Sequence, residues 1–249
     1  LPSILNITGT ESRDGNLKTY HAPEFRLGLR YAFTDNFSVK AGFNTMQQYI
    51  HKVSNTMTMS PTDTWKLSDM FIEPQKGIQY SLGFYKNLMD DQLEASIEGY
   101  YKTMDNYLDY RSGAQLLMND HLETEVLPTE GRAYGVEFML KRPKGKFNGW
   151  FSYTYSKTEL RQSDARIARP ANKGEWYPAE YDKPHDIKLV GNYQITQRYS
   201  ASLNVDYSTG RPQTMPVSQY YSNTIGATSF VFSERNGVRI PDYFRMDLS

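Results

Sequence analysis

The chain has 249 residues with 28 basic and 28 acidic side chains, so its formal net charge is zero and no cationic excess exists to neutralise a nucleic-acid backbone. The absence of cysteine removes disulfides, thiolate zinc sites, iron–sulfur clusters and cysteine nucleophiles together. Hydrophobic residues reach only 39% and mean hydropathy is −0.67, yet aromatics, chiefly tyrosine, make up 14%, an unusual balance for a soluble core.

No apolar run approaches the roughly 18–20 residues that a membrane helix needs. A membrane β-barrel passes the same test, because its strands are apolar only at alternate positions. The dominant periodicity here is two. In residues 25–33, Phe25, Leu27, Leu29, Tyr31 and Phe33 alternate with Arg26, Gly28, Arg30 and Ala32. After the turn chemistry of Thr34-Asp35-Asn36, Phe37, Val39, Ala41 and Phe43 alternate with Ser38, Lys40, Gly42 and Asn44. The pattern predicts a hairpin with one apolar and one polar face.

Seven further segments repeat it. Residues 78–87 set Tyr80, Leu82 and Phe84 against Gln79, Ser81 and Gly83. Residues 93–101 set Ala95 and Ile97 against Glu94 and Glu98. Residues 132–141 set Tyr134, Val136 and Phe138 against Gly135 and Glu137. Residues 147–155 set Phe151, Tyr153 and Tyr155 against Ser152 and Thr154. Residues 185–195 set Ile187 and Leu189 against Asp186 and Lys188. Residues 199–208 set Leu203 and Val205 against Asn204 and Asp206. Residues 243–249 set Phe244, Met246 and Leu248 against Arg245 and Asp247.

The connections alternate strictly. Segments 34–36, 88–92, 142–146 and 196–198 are short. Segments 45–77, 106–131, 159–184 and 209–242 run to about 25–35 residues, a length usually tied to function. In an up-and-down meander this puts short turns at one end and long loops at the other, the pattern of an outer-membrane barrel. Aromatics gather near strand ends, with Tyr80, Tyr100, Tyr101, Tyr107, Tyr153, Tyr155 and Tyr207 toward the long loops, as two interfacial girdles require. The fold expected is therefore all-β: an antiparallel, up-and-down transmembrane β-barrel contributing about nine strands. The alternative from the same residues is a soluble β-sandwich or propeller, although such a core is richer in Val and Ile than in Tyr. The chain opens at Leu1-Pro2-Ser3 and stops at Asp247-Leu248-Ser249 within an alternating run, so residues 1–249 read as part of a longer protein. Nine strands also leave open edges that lipid does not tolerate, so further strands are expected from sequence outside the chain.

Several stretches resemble TonB-dependent outer-membrane receptors, in the subgroup with a carboxypeptidase-regulatory-like amino-terminal domain. They include Glu24-Phe25-Arg26-Leu27-Gly28-Leu29, Gly131-Arg132-Ala133-Tyr134-Gly135-Val136-Glu137, Asp182-Lys183-Pro184-His185-Asp186, Ser208-Thr209-Gly210-Arg211-Pro212 and Pro241-Asp242-Tyr243-Phe244-Arg245-Met246-Asp247. The resemblance implies a 22-stranded barrel of which this chain supplies about strands 12 to 20. It further implies a plug domain, a TonB box and last strands that lie outside these residues.

The candidate chemistry is non-covalent. His21, His51, His121 and His185 show no metal-ligand spacing, and His185 beside Asp182 and Asp186 reads as an anchor for a strand entry. Glu94 and Glu98 share a strand face about 13 Å apart, wider than a glycosidase pair. No catalytic motif occurs, so neither an enzyme nor a cofactor or metal site is expected. The polar face carries Arg26, Arg30, Lys40, Glu94, Glu98, Lys188, Asp206 and Arg245, with signs mixed, which suits a lumen packed against a charged plug. A solvated sheet face is the plainer reading of the same charges. In the long loops Trp65, Trp176, Tyr177, Tyr181, Tyr220 and Tyr221 are candidate ligand contacts, with Met46, Met57, Met59 and Met70 nearby. Packing of loop against loop explains the same residues equally well. Gly210 and Pro212 mark a strand exit, Gly for an unusual backbone angle and Pro to end pairing.

The resemblance implies a Gram-negative outer-membrane importer, ligand-gated and driven by a TonB complex. Its cargo is expected to be too large or scarce for porins: a siderophore, cobalamin, glycan or peptide. Outer-membrane lipid and a surface lipoprotein are the other expected partners. The alternatives are a binding or scaffold barrel that does not transport, and a soluble glycan-binding β domain.

Overall fold

A computed structural model describes residues 18–53, 64–110, 124–164, 167, 170–223 and 226–249. Met57, Met59 and His121 lie outside the described residues. Among the described residues sixteen strands follow one another: β1 (Arg26–Thr34), β2 (Phe37–Gln48), β3 (Ile50–Val53), β4 (Thr64–Leu67), β5 (Gln75–Leu88), β6 (Leu93–Tyr110), β7 (Val126–Arg142), β8 (Phe147–Arg161), β9 (Tyr177–Pro178), β10 (His185–Gln194), β11 (Ser200–Ser208), β12 (Pro212–Gln213), β13 (Pro216–Ser222), β14 (Ala227–Phe232), β15 (Val238–Arg239) and β16 (Tyr243–Leu248). The main sheet runs β1-β2-β5-β6-β7-β8-β10-β11-β16, with β9 added on β8. Its strands pair antiparallel with their sequence neighbours, and they correspond one for one to the nine alternating segments.

The register keeps the two faces separate across the sheet. Tyr31, Val39, Phe84, Ile97, Phe138, Tyr153, Ile187, Tyr207 and Phe244 form one continuous row from β1 to β16. One step away on the opposite face, Tyr85, Ser96, Met139, Ser152, Lys188, Asp206 and Arg245 form another. Burial runs opposite to that of a soluble protein. In β5 the apolar residues Ile78, Tyr80, Leu82 and Phe84 are exposed, while Gly77 and Gly83 on the polar face are buried and Gln79, Ser81 and Tyr85 half-buried. A β-sandwich buries its apolar faces against each other; here that face is outermost and suits hydrocarbon.

The strands extend past the alternating segments at the long-loop end. β6 reaches Tyr110 and β7 starts at Val126, so much of segment 106–131 is ladder rather than loop. The other long connections carry their own pairings: β3 with β4, β12 with β15 and β13 with β14. Buried apolar residues also concentrate at this end, where Leu160, Tyr177 and Ala179 form a small core against Tyr107 and Ala171. Among the described residues no helix is long and apolar enough to cross a membrane.

Candidate ligand-binding site

A bulge in β6 shapes the long-loop end. The ladder with β7 shifts register between Met104 and Tyr107, and Asn106 there has φ 56°, a left-handed conformation that asparagine tolerates. Its amide donates to Glu73 Oε2 at 3.1 Å and to the Pro74 carbonyl at 3.3 Å. The extra residue reverses the parity of β6. Tyr107 and Asp109 therefore stand opposite Thr129 and Leu127, on the same face as Lys102 and Met104.

Asp109 is the hub to which two loops are fastened. Its carboxylate accepts from Arg235, from the Tyr177 hydroxyl at 2.5 Å and from Gln162 Nε2 at 3.3 Å. Arg235 also donates to the Tyr110 carbonyl at 2.9 Å, and its backbone N–H donates to Asn172 Oδ1 at 2.8 Å. Asn236 Nδ2 reaches the Pro178 carbonyl at 2.8 Å. A second tie sits at Asp182, which is 2% exposed. It accepts from the Thr158 N–H at 2.7 Å and from Arg239, whose Nη1 also donates to the carbonyls of Asp182 and Gly210 at 2.9 Å each. Gly210 is required by close approach rather than by an unusual angle: a Cβ there would lie 1.7 Å from the Ile240 carbonyl oxygen. Pro212 does not end pairing but opens the short ladder of β12 with β15.

Between these ties and the β3–β4 hairpin lies a cavity of about 380 Å³. Gln48, His51, Gln75, Tyr107, Glu180, Tyr181 and Asn236 are among its lining residues. His51 is buried, shares a hydrogen bond with Ser68 Oγ at 3.0 Å, and has its pKa lowered by burial. Partial desolvation by the surrounding loops pushes the Glu180 carboxyl and the Tyr181 hydroxyl up, although both residues keep an exposed surface. The lining mixes aromatic rings, carboxamides and charges of both signs, which equips it to stack on and hydrogen-bond a polar ligand.

The six loop aromatics have different fates. Tyr181 lines the cavity. Trp65 in β4 and Tyr220 and Tyr221 in β13 are exposed and outside it. Trp176 stacks on the guanidinium groups of Arg132 and Arg161, at 4.2 and 4.7 Å. Tyr177 is 1% exposed and engaged with Asp109, so it packs the loop and offers no free surface to a ligand. The lining contributed by Tyr107, Glu180, Gln48 and Asn236 was not singled out as a ligand site from sequence. Reading the Asn-Tyr step after Asp105 as a bulge was the one available signal for Tyr107.

The eight polar-face charges share the face opposite the exposed apolar residues. Glu94 pairs with Lys141 at 3.4 Å, Lys188 with Asp186 at 3.3 Å, Arg245 with Asp247 at 2.8 Å and Arg26 with Glu24 at 3.7 Å. Glu98 accepts from the Tyr85 hydroxyl, and Lys40 sits 4.1 Å from the Tyr85 ring. Asp206 lies in register between Lys188 and Arg245. Arg30 stands opposite Lys40 on β2. His185 opens β10, and its Nδ1 lies 2.9 Å from the Tyr153 hydroxyl.

A family profile described as TonB dependent receptor-like, beta-barrel, matches residues 6–249. The chain belongs to that family. TonB-dependent receptor barrels are Gram-negative outer-membrane proteins, receptors and transporters rather than enzymes. Solved members share the fold. The ferric-catecholate import receptor Fiu of E. coli K12 matches with TM-score 0.57 and 18% identity over 90% of this chain and 27% of its own. The ferripyoverdine receptor of Pseudomonas aeruginosa, bound to ferripyoverdine, matches with TM-score 0.52 and 15% identity over 90% and 26%. The FpvAI–pyocin S2 complex matches with TM-score 0.53 and 13% identity over 90% and 26%. The chain thus spans about a quarter of the length of these receptors. No curated protein sequence matches it.

Proposed function

We propose that the chain is the ligand-capturing barrel portion of a TonB-dependent importer of a scarce or bulky nutrient. The observation that supports this most is the segregation of the two ends: every long connection lies at one end, where the Asp109 and Asp182 ties hold the loops around a polar cavity. In this reading that end faces outside the cell and the cavity belongs to a vestibule. Tyr181 is the strongest of the sequence candidates for ligand contact, with Trp65, Tyr220 and Tyr221 free to close over it. The eight mixed charges face the lumen and meet a plug domain supplied by sequence outside residues 1–249, through which a TonB complex acts. A surface lipoprotein is a further candidate partner. Receptors for ferripyoverdine and ferric catecholates among the similar structures make siderophores the first cargo to test.

The test measures surface binding and internal accumulation separately in cells expressing the full-length protein, with and without an uncoupler. Binding that persists while accumulation stops on uncoupling supports energised import. Accumulation that survives the uncoupler points to a passive pore. Binding without accumulation in energised cells points to a scaffold barrel.

A further inference from the structure

Four side chains that carry charge or can gain it near neutral pH line the cavity: His51, Lys52, Asp109 and Glu180. Three of them are already satisfied. The Asp109 carboxylate is filled by Arg235, by the Tyr110 N–H at 2.8 Å, by the Tyr177 hydroxyl and by Gln162. Lys52 has a partner of its own, and burial draws His51 toward its neutral form. Glu180 differs: among the described residues its carboxylate takes part in no hydrogen bond and no ion pair. Arg235 and Arg211 act on it through space, yet Arg235 is committed to Asp109 and neither closes an ion pair with Glu180. Desolvation is the largest influence on this carboxyl and disfavours its charged form, an effect that a cation brought by a ligand reverses. Tyr107, Tyr110 and Tyr181 line the same space. The hydroxyls of Tyr107 and Tyr181 hydrogen-bond each other, which engages their polar tips, and Tyr181 keeps 44% of its surface exposed. An aromatic ring face attracts a cation through its quadrupole, so these rings and the carboxylate favour the same charge.

We propose that the cavity takes a cationic group of the ligand, a primary ammonium or a guanidinium, with Glu180 as its counter-ion and Tyr107 and Tyr181 as its aromatic walls. A volume of about 380 Å³ is enough for an amine-bearing arm and the atoms next to it. Gln48 supports the same polarity: its Nε2 donates to the Ile50 carbonyl at 2.8 Å, and its amide oxygen is left to accept an N–H from the ligand. An anionic ligand meets an uncompensated carboxylate here, and a neutral polyol gains nothing from the charge of Glu180. Cation selection rests on the cavity being the ligand site, as proposed above, and not on energised import.

The experiment titrates the full-length receptor in detergent at neutral pH, with ligand-observed NMR as the readout. The probes are an amino-terminally acetylated Gly-Lys-Gly amide, the same peptide with the lysine side chain acetylated, and the same peptide with Glu in place of Lys. The wild-type protein should bind the lysine peptide about fivefold more tightly than its acetylated form, and the Glu peptide most weakly. Glu180→Gln should bring the lysine peptide and its acetylated form to within about twofold of each other. Tyr181→Leu should weaken the lysine peptide more than the acetylated one. Glu175→Gln, which removes an exposed acid of the same connection outside the cavity, should leave the preference intact. Equal affinity of the wild type for the lysine and acetylated peptides overturns the proposal, as does a preference that survives Glu180→Gln or a failure of every peptide to bind. The wild-type comparison needs no variant to fold. The two readings fail separately: similar binding of all three peptides removes the charge preference and leaves the cavity a ligand site, whereas loss of energised uptake with the peptide order intact overturns import alone.

Discussion

Val205 and Asp206 are adjacent residues with opposite environments, because successive side chains of a strand point to opposite faces. Val205 pairs with Leu189 and Met246 in an apolar row, and Asp206 with Lys188 and Arg245 in a polar one. Val205→Arg should therefore destabilise the folded barrel by about 2–4 kcal/mol near mid-membrane, and Asp206→Asn by clearly less. Denaturant titration of the full-length receptor in lipid vesicles measures both, and equal losses would refute the face assignment. His51 carries the pH dependence of its loop. Burial lowers its pKa below the ordinary 6.5, so its contribution to stability is present above that value and lost as pH falls through the lower folded value. Glu180 has the opposite sign: its pKa is raised, and its contribution is lost as pH rises through the raised value. Amide exchange in β3 and β4, corrected for intrinsic rate, should quicken between about pH 7.5 and pH 5.5, and His51→Gln should flatten that change. Glu180→Gln should slow exchange at neutral pH.

Among the elements, the loops at the binding end owe their order to a few long-range ties. Arg235 and Asp109 are 126 residues apart in sequence, with side chains 16% and 9% exposed. Removing one partner leaves the other charge buried and uncompensated, at a cost of about 3–5 kcal/mol. Asp109→Ala should therefore release segment 209–242, seen as new protease cleavage there while the barrel still resists denaturant. Asp182→Ala should do the same, and the two together should add little beyond either, since both fasten the same segment. Cleavage that stays confined to the wild-type sites would show that the β13–β14 hairpin is held by other contacts. The alternation of short and long connections made these loops visible in the sequence as a functional end. Their bracing was not visible, because an Asp and an Arg so far apart carry no local pattern.

As a whole molecule, the chain is a sheet whose apolar face is outermost and whose edges are β1 and β16. Without lipid that face and both edges lack partners, so residues 1–249 expressed alone in plain buffer should aggregate. A monodisperse, cooperatively melting monomer in light scattering and calorimetry would contradict the membrane assignment. The same inversion separates membrane from soluble readings of the alternating pattern. Period two states that a strand has an apolar side; it does not state whether that side meets another sheet or hydrocarbon.

The nine main-sheet strands, their order and the division of their residues between two faces were legible in the sequence alone; the short strands of the long connections were not. The legible features rest on local rules: side chains alternate along a strand, and a turn of a few residues obliges its neighbours to pair antiparallel. The charges Glu94, Glu98, Lys188 and Asp206 could be assigned to one face for this reason. The site was decided only by tertiary structure. The bulge at Asn106 reverses parity, so that Tyr107 and Asp109 join the inner face that a straight count denies them. Tyr177 and Trp176 are neighbours of similar character, yet one is buried against Asp109 and the other stacked on two arginines from β7 and β8. What each aromatic does depends on partners brought from distant strands, and pairing over such separations is set by the order and register of the whole sheet rather than by any window of the chain.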